Sequence, residues 1–341
     1  MNDFFKTIRS YLTEYLPNQK CCSHNTVRSY RQTLNLFVTY LREVRLISMK
    51  QIDFSTINRE AVLGFLDWLE QERHCSASSR NQRLMVLRAF FAYAGLLDCT
   101  QIALSFEVSA VPIKKEPGKV VSFLTEPALE ALLKQPDISR RIGMRNRFFM
   151  ILMYDAAARC GEVLNLRIRD LRLDAKHPLV YLRGKGNKTR TVPLLEKTTL
   201  HCRQYLQQFH CGASPDSDAY VFYTTSHGTR QPMSHDTAAA FIKLYGESAG
   251  QACPEMPEHV HPHMLRHTRA MHLYRQGMPM VLLSEYLGHA SVETTKIYAY
   301  ADTEMKRAAL EKADVIRNGA PAPLPVWVND EDMIMKLSGL T

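Results

Sequence analysis

With 341 residues, 45% of them hydrophobic, the chain is long enough for two domains with real cores, and its formal net charge of +9 indicates a polyanionic partner. No apolar run reaches the roughly 18 residues of a membrane span, and the N-terminus lacks a signal-peptide pattern, so a membrane protein is not expected. The eight cysteines include no Cys-x-x-Cys pair, which favours reduced thiols in a cytoplasmic protein.

Residues 1–107 are predicted to form a domain of four helices. Apolar residues recur at helical spacing in residues 3–16, in residues 25–44, in a stretch that Asn58 can cap, and in about residues 78–94. The spacing places one apolar stripe on each helix. A compact helical domain is the arrangement that buries four such stripes together.

The second and fourth predicted helices carry basic side chains, and no acidic residue occurs between Glu72 and Asp98. A basic helix face is usually just solvated. Two such faces in one small domain favour contact with DNA, because an α-helix fits the major groove and cations bind the surrounding phosphates. We therefore predict that DNA is contacted by Arg28, Arg31, Arg80, Arg83 and Arg88.

Residues 108–121 are predicted to form a linker between two domains. The run from Val111 to Lys119 is basic, contains Pro and Gly, and lacks helical periodicity. Lys114 and Lys115 in this run are further candidates for contact with a DNA backbone. A solvated tether is the alternative interpretation.

Residues 122–318 are predicted to form a second domain in which helices surround a few short strands. Helices are expected after Thr125, at about residues 145–155, and over residues 196–209, 234–248 and 302–317. Strands are expected over residues 167–173, 179–183 and 189–194. The last two strands flank a hairpin tip that is rich in turn residues and exposes Lys185.

Residues 319–341 are predicted to form a tail. Its first part is rich in proline and cannot be helical. A short amphipathic helix follows Asn329. Such a helix on a proline-rich tether would dock on a neighbouring subunit or on its own domain, and the sequence leaves both open.

The stretch from His261 to Tyr298 combines side chains that suit a phosphate site. His263 and Arg266 lie three residues apart, a Gly-His pair follows at His289, and Tyr298 comes nine residues later. Glycine, proline and serine residues between them indicate the ends of short helices. Cationic groups, imidazoles and a phenol would therefore lie on three packed helices.

Together with two earlier motifs, these residues resemble the catalytic set of the tyrosine recombinase (phage integrase) family. The motifs are Ala-Arg159-Cys-Gly-Glu162-Val-Leu, Gly-Lys185-Gly-Asn-Lys-Thr-Arg, His263-Met-Leu-Arg266-His267-Thr, and Leu-Gly-His289 followed by Tyr298. The resemblance implies a mainly α fold with a small antiparallel β-sheet, made of an N-terminal four-helix core-binding domain and a mixed α/β catalytic domain. The family usually has Gly and a bulky residue before its first Arg, where this chain has Ala157 and Ala158.

The resemblance also implies what these side chains do to DNA. Arg159 and Arg266 would bind the non-bridging oxygens of the scissile phosphate, because guanidiniums are planar bidentate donors that stay protonated. Tyr298 would attack the phosphorus and leave a 3′-phosphotyrosyl bond and a free 5′ hydroxyl. No metal or nucleotide cofactor is implied, since the covalent linkage conserves the bond for rejoining.

The remaining motif residues receive supporting roles from the same resemblance. A phenol has an unperturbed pKa of about 10, so it needs a base at neutral pH, and His263 is the candidate. Lys185 is the candidate acid for the departing 5′ oxygen, and His289 would hydrogen-bond the phosphate. Glu162 would orient the structure near Arg159.

The sequence leaves two local alternatives near the site. Tyr300 is a rival nucleophile, but two positions along a helix turn a side chain by roughly 200°, so only one of Tyr298 and Tyr300 can face the site. His263 and His267, one helical turn apart, suggest a metal site. No cysteine or carboxylate nearby completes a ligand set, so no metal is predicted.

The predicted partner is double-stranded DNA carrying specific recombination sites. Strand exchange needs paired sites, so we expect a homo-oligomer, a tetramer, on DNA, with the two domains clamping the duplex. A type IB topoisomerase would use the same chemistry as a monomer. A catalytically silent DNA-binding protein on the same fold is the rival from another class, and the complete residue set argues against it.

Overall fold

The computed structural model describes residues 3–116, 121–184, 188–226, 228–289, 291–301, 307, 310 and 331–339. The chain divides into two compact units, Met1–Gly118 and Lys119–Thr341. Among the described residues, no helix is both long enough and apolar enough to cross a membrane.

The first unit is helical throughout its regular structure. Its helices are α1 (Asp3–Ser10), which continues as a π-helical segment (Tyr11–Gln19), α2 (His24–Glu43), α3 (Arg59–Gln71), α4 (Ala77–Leu97) and α5 (Ile102–Ser109). Ser23, Asn58 and Ser76 cap α2, α3 and α4 by accepting a hydrogen bond from a backbone N–H in the first turn. The predicted four-helix domain is confirmed, and α5 is an addition to it.

The predicted linker begins later in the structure than the sequence suggested. Val108, in α5, and Val111 are both fully buried in the core of the first unit. That core is built mainly from aromatic and leucine side chains of α2, α3 and α4. Residues 108–111 therefore belong to the first unit, because burial of the two valines adds apolar area to its core.

Arg80 corrects the prediction of an exposed basic face on α4. Its side chain is only 4% exposed, donates a hydrogen bond to the Pro112 carbonyl oxygen at 3.1 Å, and lies 3.8 Å from the Glu70 carboxylate. Because α4 has no acidic residue of its own, Glu70 on α3 supplies the negative charge that pairs with Arg80. A buried, paired guanidinium is not available for a DNA phosphate, so Arg80 has a structural role.

Two other predicted DNA contacts share this structural role in part. Arg88 is half-buried and donates to the Val111 carbonyl oxygen, and Lys114 pairs with Glu70 at 2.6 Å. These contacts hold residues 111–116 against α3 and α4. The remaining candidates differ in exposure: Arg28, Arg31 and Lys115 are exposed and Arg83 is half-buried.

In its described residues, the second unit combines helices with two small antiparallel sheets. Its helices are α6 (Glu126–Lys134), α7 (Arg141–Asp155), α8 (Cys160–Leu164), α9 (Glu196–Phe209), α10 (His235–Gly250), α11 (Pro262–Arg275), α12 (Met280–Leu287), α13 (Lys296–Ala301) and α14 (Glu331–Leu337). Its strands are β1 (Leu171–Arg172), β2 (Leu179–Arg183), β3 (Thr189–Pro193), β4 (Tyr223–Ser226) and β5 (Thr229–Pro232).

The sheets differ from the predicted strands in two ways. β1, β2 and β3 form one antiparallel sheet in that order, but β1 is short because Ile168–Asp170 forms a 3₁₀ turn that the Asp170 carboxylate caps. The β4–β5 hairpin was not predicted. Its strands are polar and largely exposed, so they lack the alternation by which a strand is recognised in a sequence.

The main core of the second unit surrounds α7, which packs on α9 and α11. A smaller apolar cluster contains Ala157, Met271, Leu287 and Tyr298, and it packs α11, α12 and α13 together. Apart from Arg307 and Leu310, the predicted charged helix over residues 302–317 lies outside the described residues, and so does Lys185. In the tail, α14 is present and its described residues are exposed.

Candidate active site

Arg159 is held at the start of α8 by the first turn of that helix. Glu162 accepts hydrogen bonds from the Arg159 backbone N–H at 2.8 Å and from its guanidinium at 2.9 Å. The guanidinium also donates to the Gly288 carbonyl oxygen at 3.3 Å. Its side chain is 36% exposed, so the charge is oriented by protein and open to solvent.

Arg266 comes from α11 and is almost completely buried, with 1% of its side chain exposed. It donates to the carbonyl oxygens of Ala157 and Leu287, both at 2.7 Å. Burial lowers its pKa to about 10, and the positive charges of Arg159 and Arg190 act in the same direction. Arg266 therefore stays protonated at neutral pH and forms a fixed cation close to Arg159.

Ala157 has a left-handed backbone conformation, with φ of 43°. This region costs a residue with a Cβ atom roughly 1 kcal/mol or more, which explains why glycine is usual at this point in the family that the sequence resembles. The conformation directs the Ala157 carbonyl oxygen at Arg266. The Ala157 methyl group is fully buried in the cluster that contains Tyr298.

A third arginine belongs to this network and was not predicted. Arg190, on β3, donates to the Glu162 carboxylate at 2.7 Å and to the Ala157 carbonyl oxygen at 3.5 Å. Burial alone would raise the pKa of Glu162, but hydrogen bonds and charge from Arg190 and Arg159 outweigh it and lower the pKa. Arg190 is the last residue of the motif that contains Lys185. Its place in the sequence did not distinguish it from an ordinary arginine on a strand.

Arg159 and Arg190 face a cavity of about 440 Å³. It is lined by Arg159, Gly184, Lys188, Thr189, Arg190, Glu285, Gly288 and His289. Gly184 and Lys188 stand at the ends of the hairpin tip that contains Lys185, which lies outside the described residues. Arg159, Lys188 and Arg190 give the lining three cations, which suits a phosphate.

His289 and His263 are the imidazoles predicted for this site. His289 shares a hydrogen bond between its Nδ1 and the Thr295 hydroxyl at 2.8 Å; burial and then the charges of Arg266 and Arg159 lower its pKa to about 4. His263 is exposed, yet the protein around it and the charge of Arg266 lower its pKa as well. Both rings are therefore neutral at physiological pH, and a neutral imidazole can accept a proton.

Tyr298 is buried on α13, with 1% of its side chain exposed. Its hydroxyl shares a hydrogen bond with His267 Nδ1 at 2.9 Å. The pKa of Tyr298 is raised to about 12, because the effect of burial outweighs the opposite effect of the Arg266 and Arg159 charges. The imidazole in contact with the phenol is thus His267, which the sequence suggested only as a metal ligand; its position one helical turn after His263 was the available signal.

The two rival interpretations can be compared with the structure. Tyr300 is 73% exposed, on a different side of α13 from Tyr298, as the helical rotation predicts. Among the described residues, the His, Cys, Asp and Glu side chains form no group of three or more that could hold a metal ion.

The fold places Arg159, Arg266 and Tyr298 in one unit, as expected for a tyrosine recombinase. Residues 122–305 match the model of the phage integrase family, and residues 8–95 match that of its N-terminal SAM-like domain. The chain therefore belongs to the phage integrase family of tyrosine recombinases.

Individual relatives cover most of the chain. It is 31% identical over 306 residues to the putative integrase/recombinase y4rC of Sinorhizobium fredii, covering 89% of this chain and 90% of that one. It is 28% identical over 294 residues to the tyrosine recombinase XerA of Pyrococcus horikoshii, covering 86% and 89% of the two chains. The fold is similar to that of the XerH site-specific recombinase bound to a palindromic difH substrate, with a TM-score of 0.62, 20% identity, and coverage of 86% and 82%.

The depressed histidine pKa values predict a pH-dependent stability. Folding lowers the pKa of His267 and of His289 to about 4, whereas the unfolded value is about 6.5. Between these values the unfolded chain binds more protons, so the free energy of unfolding should fall as the pH drops from about 6.5 to 4, by up to about 1 kcal/mol per pH unit for each histidine.

This expectation can be checked by thermal unfolding of the full chain at pH 7 and pH 5. The double variant His267→Gln, His289→Gln should show a smaller decrease in Tm between the two pH values than the parent protein does. Equal decreases in both proteins would mean that the two imidazoles are not the groups whose pKa values folding lowers.

Proposed function

We propose that the chain is a site-specific DNA recombinase that cuts and rejoins strands through a 3′-phosphotyrosyl intermediate, without metal or ATP. The observation that supports this most directly is the convergence of Arg159, Arg266, His289 and Tyr298 from four separate elements. Arg159 and Arg266 each donate to backbone carbonyl oxygens, and Arg159 and His289 line one cavity.

In the proposed reaction, a bond between phosphorus and Tyr298 replaces the bond between phosphorus and the 5′ oxygen. Arg159, Arg266 and His289 donate hydrogen bonds to the non-bridging oxygens of the scissile phosphate and stabilise the charge that develops during attack. The Tyr298 oxygen forms a bond to phosphorus as the bond to the 5′ oxygen breaks. The phenol proton passes to an imidazole, and Lys185 protonates the 5′ oxygen; rejoining reverses each step.

The position of Tyr298 indicates a conformational step before attack. A phosphorus atom cannot approach the hydroxyl of a side chain that is 1% exposed and bound to His267. Tyr298 must therefore leave its contact with His267, and α13, a helix of 6 residues, is the element that would move. His263, which is exposed, remains the proposed base for the released phenol.

The corrected set of basic residues defines the proposed DNA contacts of the first unit. Arg28 and Arg31 are exposed on α2, and Arg83 and Lys115 are at least partly accessible. Arg80 is excluded from this set. We expect the double variant Arg28→Ala, Arg31→Ala to bind DNA more weakly at every sequence and to reduce the slope of log K against log salt by about one unit for each phosphate that is no longer bound.

Arg80→Ala is the matched comparison for that measurement. It removes the same kind of charge, but from a buried pair, so it should lower the Tm of the protein and leave the salt slope of the folded protein unchanged. A salt slope of the Arg28, Arg31 variant equal to that of the parent would show that these arginines only face solvent.

We further propose that the subunits assemble as a tetramer on double-stranded DNA and that the protein acts in the cytoplasm. The exposed apolar residues of α14, namely Met333, Ile334 and Leu337, support a role for the tail in docking, on a neighbouring subunit or on the second unit. The XerH recombinase, whose structure contains its difH substrate, supports a DNA partner for this chain.

The proposal is tested by incubating the protein with nicked duplexes drawn from the DNA that flanks its gene, in the presence of EDTA. Cleavage beside a nick releases a short strand, so that the covalent complex accumulates and is visible on a denaturing gel. We expect an adduct, and strand rejoining after addition of a strand with a free 5′ hydroxyl. No adduct with any duplex would refute the proposal, and relaxation of supercoiled DNA without exchange would favour the topoisomerase alternative.

A further inference from the structure

We propose that Arg190 is a positioning residue for strand cleavage, which fixes Arg159 and Arg266 relative to one another through one shared carboxylate and one shared carbonyl oxygen. This inference rests on the proposed function, because it concerns the same phosphate site.

The shared carboxylate belongs to Glu162. One of its oxygens accepts hydrogen bonds from both Arg159, at 2.9 Å, and Arg190, at 2.7 Å. The other oxygen accepts the Arg159 backbone N–H. Two guanidiniums on one buried carboxylate fix each other's position, since each must keep its donor directed at the same oxygen.

The shared carbonyl oxygen belongs to Ala157. It accepts a short hydrogen bond from Arg266, at 2.7 Å, and a longer one from Arg190, at 3.5 Å. The left-handed backbone of Ala157 sets the direction of this oxygen. Arg190 therefore connects β3 to both arginines that are proposed to hold the phosphate.

Charge gives Arg190 a second effect on Arg159. A lone buried Glu162 beside Arg159 would form a neutral pair and compete with a phosphate for that guanidinium. Arg190 supplies another positive charge to the same carboxylate, so Arg159 keeps a net attraction for an anion. The side chain of Arg190 is only 12% exposed, against 36% for Arg159, which suits an internal support better than a primary phosphate donor.

Gly288 leaves the space that the Arg190 side chain occupies. Gly288 ends α12 with φ of 64°, and a Cβ atom there would lie 2.9 Å from Arg190 Cδ. The Gly288 carbonyl oxygen also accepts a hydrogen bond from Arg159. The absence of a side chain at 288 thus gives Arg190 room beside His289, the next residue in the site.

The test measures the single-turnover rate constant of adduct formation on the nicked duplex, with enzyme in excess and at a temperature where circular dichroism shows each variant folded. We expect Arg190→Ala to lower this rate constant by about 10- to 100-fold, the effect of displacing a catalytic group by about 1 Å, and to change DNA affinity by less than about threefold. Arg172→Ala, which removes the same charge from β1 in the same sheet, should keep the parent rate.

A second substitution separates positioning from direct phosphate contact and from stability. If Arg190 acts through Glu162, the double variant Glu162→Gln, Arg190→Ala should cleave faster than Arg190→Ala, because an uncharged amide replaces the carboxylate that would otherwise form a neutral pair with Arg159. An equal or slower double variant would overturn the inference, and so would an Arg190→Ala variant with the parent rate. Absence of an adduct with the parent protein would instead refute the proposed function.

Discussion

Tyr298→Phe is expected to bind DNA as the parent protein does and to form no covalent adduct. The substitution removes only the hydroxyl that would attack phosphorus, and phenylalanine fills the same place among Ala157, Met271 and Leu287. Removal of the hydrogen bond to His267 costs about 1 kcal/mol of folding free energy, so the variant should remain folded. A mobility shift reports binding, and a denaturing gel with the nicked duplex reports the adduct.

Tyr300→Phe is the matched control for this experiment. It makes the same chemical change two residues away, on a side chain that is 73% exposed. It should form the adduct at the parent rate. Adduct formation by Tyr298→Phe, or its absence in Tyr300→Phe, would place the nucleophile elsewhere.

Arg266→Lys is expected to lower the rate constant of adduct formation by about 10² to 10³-fold, which corresponds to about 3–4 kcal/mol less transition-state stabilisation. Lysine keeps the positive charge, but its single ammonium cannot reproduce a planar guanidinium that binds two carbonyl oxygens and a phosphate together. Arg266→Ala should also lower folding stability, because the Leu287 carbonyl oxygen would lose this donor and the Ala157 carbonyl oxygen would keep only the longer bond from Arg190.

The rate is measured on the nicked duplex at saturating enzyme, after circular dichroism has shown each variant folded. Arg275→Lys, on the last turn of the same helix and exposed, is the control and should keep the parent rate. Cleavage by Arg266→Lys at a rate within about threefold of the parent would mean that this guanidinium does not hold the phosphate.

Much of the fold was predictable because its helices are amphipathic and capped. α2, α4 and α10 lie close to their predicted positions, since periodic apolar residues and capping side chains are local signals. The β4–β5 hairpin has polar strands and gives no such signal. The end of the first unit was misplaced because Val108 and Val111 are buried by other helices, which no local pattern shows.

The candidate site was predictable where motifs name residue types and spacing, and not where contacts decide the role. Arg80 looked like a surface cation because its partner, Glu70, comes from another helix. Arg190 and His267 were inconspicuous in the sequence for the same reason. Arg190 matters because it shares the Glu162 carboxylate with Arg159. His267 matters because folding brings its Nδ1 within 2.9 Å of the Tyr298 hydroxyl.

The assignment of Tyr298 as the nucleophile is tested most directly by identifying the residue that is covalently attached to DNA. The trapped complex is digested with nuclease and trypsin, and the modified peptide is sequenced by mass spectrometry. Cleavage after Lys296 and Lys306 gives a peptide that contains both Tyr298 and Tyr300, and fragmentation separates the two. We expect a 3′-nucleotide on Tyr298. A nucleotide on Tyr300 or on any other residue would contradict the assignment of the nucleophile and of the site built around it.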